Sequence, residues 1–392
     1  MKRNSHCLPD STQELLLNAC LSSPDQAVVS WKLWKAKTDI ENLDFGSFRL
    51  LPLLYRNLQS AGIEAQMLRR YRSVYRYFWY KNRLYLHLLG EFLTQYNRAG
   101  ADLPLLLKGI PLILNYYSDP GLRPMSDIDI MVPEKDLPVA FSLLEQNGLT
   151  ADKRLPVRPS SLWLEVEKGC HFKNQSGIEV DLHWNLLPES NYLKDENSRY
   201  IQRGREVEVG AGKAKIPDAT DLLYHVCAHG MKWNVVHPLR WIPDVMVILE
   251  RDGERIDWDR VVSAVRRDRF TLRFKKAFEY LAVTGTTDRI PFRVKDLFAR
   301  LEPGKWEIPE FWFLGHRMEI LGDLPADLFL AYRHTLKNPG RKNRWMIFAR
   351  FIGRKWRVKH FSQLLREIGV RLKRRLKAAI ERTDSIHLSQ NH

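Results

Sequence analysis

Acidic residues at strand spacing are the feature of this sequence that points most directly to chemistry. The segment DIDIMV alternates polar and apolar residues with a period of two, so Asp127 and Asp129 share one face of a predicted strand. Two carboxylates held about 7 Å apart on an otherwise apolar strand require a cation or raised pKa values. Mg²⁺ is the simplest such cation because it prefers oxygen ligands.

A second segment supplies a third carboxylate. In IEVDLHW the same period places Glu179, Asp181 and His183 on one face. Three carboxylates on adjacent strands can hold two divalent ions, and this arrangement stabilises in-line displacement at phosphorus. Asp127, Asp129 and Asp181 are therefore the predicted catalytic and metal-binding residues, with two Mg²⁺ ions as cofactors and Mn²⁺ as the alternative.

Phosphate chemistry also requires positive charge and backbone donors near the acids. Lys108 and Gly109 lie between the apolar run LPLLL and the helical run IPLILNYY, and Arg123 lies in the loop before the aspartates. These three residues are predicted to bind the nucleotide. His183 is predicted either to contact the nucleotide or to orient Asp181.

The surrounding pattern predicts an α+β protein with a small mixed β-sheet flanked by helices. Helical spacing dominates residues 1–100, short apolar and alternating runs indicate strands within 101–216, and helical spacing returns in 217–335. We expect these three ranges to be an N-terminal helical region, a catalytic domain and a helical domain. Residues 336–392 are expected to form a basic helical tail.

One predicted helix mixes aromatic and basic residues, in the segment RRYRSVYRYFWYKNRLYLHLL that begins at Arg69. The favoured interpretation is an amphipathic helix that buries its aromatic stripe and leaves its arginines in solvent. The alternative is a surface that stacks bases and binds phosphates of nucleic acid.

A pair of histidines, His225 and His229, is spaced so that both lie on one face of a predicted helix. Such a pair could bind a transition metal. We favour the interpretation that the two rings line the cleft or form hydrogen bonds within the helical domain.

Positive charge is concentrated at the C-terminus of this 392-residue chain of net charge +16. Residues 341–392 contain 15 Lys and Arg against three acids, which suits nucleic acid, an anionic membrane or a solvated helical face. The four cysteines are scattered, and no secretion signal or long apolar span is visible. We expect a cytoplasmic protein, with peripheral attachment to a membrane as the alternative.

Five segments together resemble a known family. In sequence order they are KGIPLILNYY, GLRPMSDIDIMV, EVDLHWNL, LLYHVCAHG and RWIPDVMVILE, and they span roughly residues 100–285. They are similar to the bacterial uncharacterised nucleotidyltransferase family, within the DNA polymerase beta type superfamily. The resemblance implies the nucleotidyltransferase fold, with Asp127 and Asp129 as metal ligands, Asp181 helping to activate the nucleophile, and Gly109 against the nucleotide phosphates.

The resemblance also implies the reaction. A nucleoside monophosphate would pass from an NTP, such as ATP, to an acceptor hydroxyl on a small molecule, sugar, protein or RNA, with release of pyrophosphate. One position departs from the pattern, since Ile110 follows Gly109 where a small residue is usual. The alternatives are a toxin-like enzyme that modifies tRNA, and a catalytically inactive scaffold that binds nucleic acid or an anionic membrane.

Overall fold

The structure is a computed structural model. It describes residues 8–152, 169–187, 194–232, 238–283, 292–311 and 344–356, with isolated residues or short runs at 155, 164, 166–167, 328–329, 331–333, 335, 363, 366–367, 369–370 and 373.

Helices occupy the N-terminal part of the described chain, as the sequence predicts. They are α1 (Ser11–Leu21), α2 (Pro24–Lys37), α3 (Phe45–Phe48), α4 (Leu51–Ser60) and α5 (Arg69–Arg98). Helix α1 begins at a capping box: Asp10 accepts hydrogen bonds from the backbone of Thr12 and Gln13, and the Gln13 side chain accepts one from Asp10 N at 3.1 Å. These contacts satisfy donors that the helix itself leaves open.

A mixed sheet follows in sequence. Its seven strands are β1 (Leu105–Leu106), β2 (Ile128–Met131), β3 (Thr150–Ala151), β4 (Gly169–Lys173), β5 (Glu179–His183), β6 (Arg205–Val209) and β7 (Gly212–Ile216), in the spatial order β3-β4-β5-β2-β1-β7-β6. Strands β2 and β5 pair in parallel, and so do β1 and β7, whereas the other neighbours are antiparallel. The two strands that carry the predicted acids therefore lie next to each other near the middle of the sheet.

Helix α5 lies directly on the hairpin formed by β6 and β7. A Cβ atom built on Gly212 would lie 2.4 Å from Leu93 Cβ, so only glycine permits this approach. Asn97 fixes the contact, since its Oδ1 accepts from Lys213 N at 2.7 Å and its Nδ2 donates to Lys213 O at 3.2 Å. The helix thereby becomes a rigid support for one end of the sheet.

Further helices surround the sheet or follow it. They are α6 (Gly109–Asn115), α7 (Leu137–Gln146), α8 (Lys194–Arg203), α9 (Ala219–Gly230), α10 (Trp241–Asp252), α11 (Trp258–Arg267), α12 (Thr271–Val283), α13 (Phe292–Arg300) and α14 (Arg344–Lys355). Asp218 caps α9 by accepting a hydrogen bond from Asp221 N at 2.8 Å. The α+β class predicted from the sequence is confirmed, with helices on both sides of the strand region along the chain.

The chain separates into two compact units. The first comprises residues 1–155, 169–184 and 195–303, and the second comprises 156–168, 185–194 and 304–392. In the second unit, Phe351 and Ile352 of α14 pack with Val166, Ala331 and Trp356 in an apolar cluster. The division into regions 1–100, 101–216, 217–335 and 336–392 stays a prediction.

Much of the basic tail predicted for 336–392 lies outside the described residues. Within the described part of the chain, no helix combines the length and the apolar composition that crossing a membrane requires.

Candidate active site

The site is built on two neighbouring parallel strands. Asp129 of β2 is the direct register partner of Asp181 of β5. Paired residues of adjacent strands project to the same face of a sheet, so the two carboxylates lie side by side. Asp127 directly precedes β2.

Three potential metal ligands converge at this point. Asp129, Asp181 and His183 each offer one ligand atom, and these atoms all lie within 4.8 Å of one another. Asp127 is outside this group, although its charge interacts with both Asp129 and Asp181. The structure thus brings together two of the three predicted aspartates with the predicted histidine, and it places the third aspartate beside them.

Asp129 is the most enclosed member of the group, with 2% of its surface exposed. Its Oδ1 accepts a hydrogen bond from Lys108 Nζ at 2.5 Å, and His183 Nε2 lies 2.9 Å from the same oxygen. Burial opposes ionisation of this carboxyl, but Lys108 and His183 outweigh burial and hold the pKa of Asp129 well below its usual range. Asp129 is therefore a carboxylate at neutral pH.

Lys108 occupies a tight turn between β1 and α6. Its φ of 51° lies in the left-handed region, which costs a non-glycine residue energy and indicates that the surroundings impose the conformation. Burial opposes its charge, but the carboxylates of Asp129 and Asp127 outweigh burial and raise the pKa of the Lys108 ammonium. A fixed cation thus lies among the acids, where negative charge is in excess.

Asp127 differs from Asp129 in its electrostatics. Burial and the neighbouring charge of Asp129 raise the pKa of Asp127 to about 6, while Lys108 acts in the opposite direction. The three acids hold more negative charge than Lys108 neutralises. A divalent cation would relieve this repulsion, and carboxylate oxygens are the ligands that Mg²⁺ prefers.

Asp181 has a partner that the sequence analysis missed. His171 of β4 is its register partner on the other side, and His171 Nδ1 lies 2.8 Å from Asp181 Oδ1. Both side chains are partly exposed. The pairing of β4 with β5 brings them together, and spacing within one strand gives no sign of it.

Gly109 and Arg123 lie against each other. A Cβ atom built on Gly109 would lie 2.6 Å from Met125 Sδ and 2.7 Å from Arg123 Nη1, so the glycine admits the loop that leads to the aspartates. Ile110 contributes its fully buried side chain to the core. The placement of Gly109 against nucleotide phosphates stays a prediction.

Arg123 forms a buried ion pair. Its Nη2 and Nε donate to the two carboxylate oxygens of Asp244 at 2.9 and 3.3 Å, and Tyr117 Oη donates to Asp244 Oδ1 at 2.9 Å. This pair fixes the loop before β2 to helix α10, and the sequence analysis did not identify Asp244. A role of Arg123 in nucleotide binding stays a prediction, and the ion pair indicates a structural role.

The residues of this site lie in a part of the chain that matches a known family. The uncharacterised nucleotidyltransferase family matches residues 47–284, which is more than half of the chain. The chain belongs to that family. No curated protein and no solved structure matches it significantly.

The match extends further than the sequence analysis expected. It ends at residue 284, close to the expected 285, but it begins at 47 rather than near 100. Helices α4 and α5 are therefore part of the nucleotidyltransferase region. Both strands with the acids lie within it, as do Lys108 and His171.

Two further arginines of the nucleotidyltransferase region lie near the loop before Asp127. Arg49 Nη2 donates to Ser126 Oγ, and Arg240 Nη1 donates to the Pro124 carbonyl. Burial and the charge of Arg123 lower the pKa of Arg49 to about 10, and the same two causes place the pKa of Arg240 well below its usual range. Cations that repel one another in a partly buried place favour an anion.

The histidine pair of α9 lies close to the same site. The rings of His225 and His229 are 6.2 Å apart and nearly perpendicular, and the charges of Lys108 and Asp129 act on His229. In the described part of the chain, three or more metal-binding side chains converge only at Asp129, Asp181 and His183. The pair is thus placed beside the acids and belongs to no such group.

Proposed function

We propose that this protein transfers a nucleoside monophosphate from an NTP, such as ATP, to an acceptor hydroxyl, with release of pyrophosphate and dependence on Mg²⁺. The observation that carries the proposal is the convergence of Asp129, Asp181 and His183 within 4.8 Å, inside a region that belongs to a nucleotidyltransferase family. The side chain of Asp127 completes the acidic surface.

The donor set fits a hard divalent cation. Asp127, Asp129 and Asp181 would hold two Mg²⁺ ions, with Mn²⁺ as a substitute, because their oxygens are the preferred ligands and their mutual repulsion requires positive charge. When bound, Mg²⁺ neutralises the triphosphate and makes the attacking hydroxyl more acidic. Burial, together with the charges of Asp129 and Asp181, raises the pKa of Asp127, and a bound cation would oppose both effects.

The chain's own cations would bind the triphosphate. Lys108 Nζ forms an ion pair with Asp129 Oδ1. We propose that the Lys108 ammonium moves to a phosphate oxygen when cations bind to the acids. Arg49 and Arg240 lie near the loop before Asp127 with pKa values lowered by burial and by neighbouring arginines, so an anion would stabilise both. The triphosphate supplies that anion.

Asp181 would handle the proton of the acceptor. The acceptor oxygen forms a bond to the α-phosphorus, the bond from that phosphorus to the bridging oxygen breaks, and pyrophosphate leaves. The hydroxyl proton passes to the Asp181 carboxylate. His171 holds this carboxylate in position through the 2.8 Å contact between His171 Nδ1 and Asp181 Oδ1.

Other properties of the enzyme are proposed from its charge and its cysteines. The net charge of +16, concentrated in residues 341–392, favours an acceptor or a surface that is polyanionic. Modification of tRNA by a toxin-like enzyme and peripheral attachment to an anionic membrane both fit this charge. We propose a cytoplasmic location because the four cysteines form no disulfide pattern in the sequence.

A second candidate function is supported by the Lys108 contact. Asp129 Oδ1 is already in contact with Lys108 Nζ and His183 Nε2. The residue after Gly109 is the buried Ile110. A scaffold that keeps the fold without catalysis would retain such an internal ion pair permanently. Binding of nucleotide with metal distinguishes the two functions.

The test is calorimetric titration of the full chain with α,β-methylene ATP, in Mg²⁺ and in EDTA. We expect binding in Mg²⁺ that is lost in EDTA and in the variants Asp129→Asn and Asp181→Asn. Glu206→Gln, which alters an exposed acid of β6, is the matched control and should bind like the wild type. Far-UV circular dichroism checks that each variant is folded.

The same titration can overturn the proposal. Folded wild-type protein that binds no nucleotide at millimolar concentration in Mg²⁺ would favour the scaffold. Equal nucleotide binding by the wild type and Asp129→Asn would show that the Asp129 carboxylate does not take part in binding. Labelling of a cell extract with α-labelled NTPs then identifies the acceptor, and Asp129→Asn must abolish the labelling.

A further inference from the structure

The outer face of helix α5 exposes aromatic rings to solvent. Tyr77 is 58% exposed, Tyr80 is 69% exposed and Trp79 is 40% exposed. The same helix buries other rings in the core, namely Tyr71, Phe78, Tyr85, Phe92 and Tyr96. The favoured interpretation, a buried aromatic stripe, therefore describes one face of the helix, and a second aromatic set lies outside that stripe and is exposed to solvent.

The exposed rings are surrounded by positive charge. Between Arg69 and Tyr85 the helix contains six basic residues and no acidic residue. Arg72, Arg76 and Arg83 are exposed, and the Arg83 guanidinium lies 5.7 Å from the centre of the Trp79 ring. Arg70 is neutralised by Glu41 at 2.6 Å, so the other cations carry the net charge of this face.

This face leads to the acidic site. Tyr77, Lys81 and Tyr85 follow one another at four-residue spacing, so they lie along one side of the helix about 6 Å apart in rise. Tyr85 Oη donates to the Ser126 carbonyl at 2.6 Å, and the charges of Asp127 and Glu179 act on Lys81. The exposed Tyr77 ring lies one turn beyond Lys81, about 12 Å along the axis from Tyr85.

The aromatic rings and the positive charge of this surface indicate which kind of ligand it binds. Exposed rings interleaved with cations bind bases by stacking and phosphates by charge, which is the pattern of surfaces for single-stranded nucleic acid. A membrane would need an apolar face of the helix, but that face of α5 is already buried, through Phe78, Leu89 and Leu93. The complementary partner is a flexible polyanion with flat rings.

We propose that the face formed by Arg72, Arg76, Tyr77, Tyr80 and Arg83, called here the α5 face, binds a single-stranded polynucleotide whose terminal hydroxyl is the acceptor. This inference rests on the proposed nucleotidyl transfer and names its acceptor class. Tyr77 and Tyr80 stack on bases, and the arginines bind the backbone phosphates. Lys81 and Tyr85 connect this surface to the loop that carries Asp127.

The test measures fluorescence anisotropy of a labelled 12-nucleotide single strand, as RNA and as DNA, and of the corresponding duplex. Tyr77→Ala/Tyr80→Ala should weaken binding of the single strand by roughly tenfold or more, because each stacking contact contributes strongly. Trp306→Ala, which removes a ring of 63% exposure outside α5, is the matched control and should bind like the wild type.

Charge on the α5 face is tested by salt dependence. Arg72→Gln/Arg76→Gln should lower the slope of log affinity against log salt by roughly 1.4, since each phosphate contact on a single strand contributes about 0.7. Lys32→Gln, an exposed cation of α2, should leave the slope unchanged. Binding of RNA or of DNA through the two tyrosines supports the proposal, and the stronger ligand shows which of the two polynucleotides the surface prefers.

Three results would contradict the proposal that the α5 face binds a single strand. They are a loss of less than twofold in the double tyrosine variant, a preference for duplex over single strand, and an unchanged salt slope in the arginine variant. Failure of the proposed transfer has a different signature, since Asp129→Asn should bind the oligonucleotide like the wild type. A wrong surface with a working enzyme would leave labelling of the acceptor intact in Tyr77→Ala/Tyr80→Ala.

Discussion

Two buried carboxylates of this protein, Asp129 and Asp244, have the same exposure of 2% and yet different surroundings. Asp244 receives two hydrogen bonds from Arg123 and one from Tyr117, so its charge is matched by a planar cation. Asp129 Oδ1 accepts a hydrogen bond from Lys108 Nζ, and His183 Nε2 lies 2.9 Å from the same oxygen.

The difference lies in the neighbouring acids. Asp127 and Asp181 act on the same Lys108 as Asp129 does, so three carboxyl groups share the ammonium that pairs with Asp129. The Arg123 pair is neutral and closed, whereas the Lys108 group is short of positive charge. A buried ion pair that is balanced holds a fold together, and one that is unbalanced indicates a site for a cation.

Breaking the balanced pair should have the largest effect on stability. Asp244→Asn leaves Arg123 buried without its counter-charge, so we expect the free energy of unfolding to fall by about 3 kcal/mol or more. Denaturant titration measures it. Asp129→Asn is the matched variant and should cost less, because Asp127 and Asp181 remain near Lys108. Equal losses of unfolding free energy in the two variants would contradict the proposed difference between the Arg123–Asp244 pair and the Lys108–Asp129 pair.

Removing each cation should separate the two pairs by their response to metal. Lys108→Met and Arg123→Met should each lower stability in EDTA, by about 3 kcal/mol or more for Arg123 and by less for Lys108, whose side chain is more exposed. Mg²⁺ should restore the stability of Lys108→Met, since a divalent ion can replace the ammonium among the acids. It should not restore Arg123→Met, and thermal unfolding with and without Mg²⁺ decides. Restoration of both or of neither would contradict the comparison.

Asp127 should make stability depend on pH. Its pKa is raised from 3.8 to about 6 in the folded protein, so between about pH 4 and 6 the folded state retains a proton that the unfolded state has lost. Stability therefore falls as pH rises through this window, and Asp127→Asn should gain about 1–2 kcal/mol over the wild type above pH 6, after allowance for partial exposure.

The control for this pH dependence is Mg²⁺ itself. Saturating Mg²⁺ should cancel the advantage of Asp127→Asn, because the ion stabilises the ionised Asp127 carboxylate, which the variant lacks. An advantage of Asp127→Asn that is the same at pH 4 and pH 7, in metal-free buffer, would show that the proton on Asp127 is not responsible.

The smallest effect is expected for a surface ion pair between the neighbouring strands β4 and β5. Lys173 Nζ lies 2.7 Å from Glu179 Oε1 on the surface of β4 and β5. Glu179→Gln should change stability by less than about 0.5 kcal/mol and leave Mg²⁺ binding intact. A large loss of Mg²⁺ affinity in this variant would mean that the cation site extends to Glu179.

The strands and helices were predictable because their periods are local. The two-residue alternation in DIDIMV and EVDLHW predicted the faces of Asp129 and Asp181, and the register of β2 with β5 agrees with the expected meeting of these acids. The cap of α9 is local in the same way, since Asp218 accepts a hydrogen bond from Asp221 N only three residues further along the chain.

The partners of the site residues were not predictable from spacing. Asp244 is 121 positions from Arg123, and Lys108 reaches Asp129 through the pairing of β1 with β2. The contact of His171 with Asp181 depends on the antiparallel register of β4 and β5. The sequence predicts nucleotide binding for both Lys108 and Arg123, whereas the tertiary structure places Lys108 among acids and pairs Arg123 with Asp244.

The most direct test of the unbalanced site is a crystal structure of the full chain with Mn²⁺ and α,β-methylene ATP, using the anomalous scattering of Mn²⁺ to locate the ion. The predicted result is an anomalous peak bound by Asp129 and Asp181, with Lys108 moved from Asp129 to a phosphate oxygen. Bound nucleotide without a peak at these acids, and with Lys108 still on Asp129, would contradict the account.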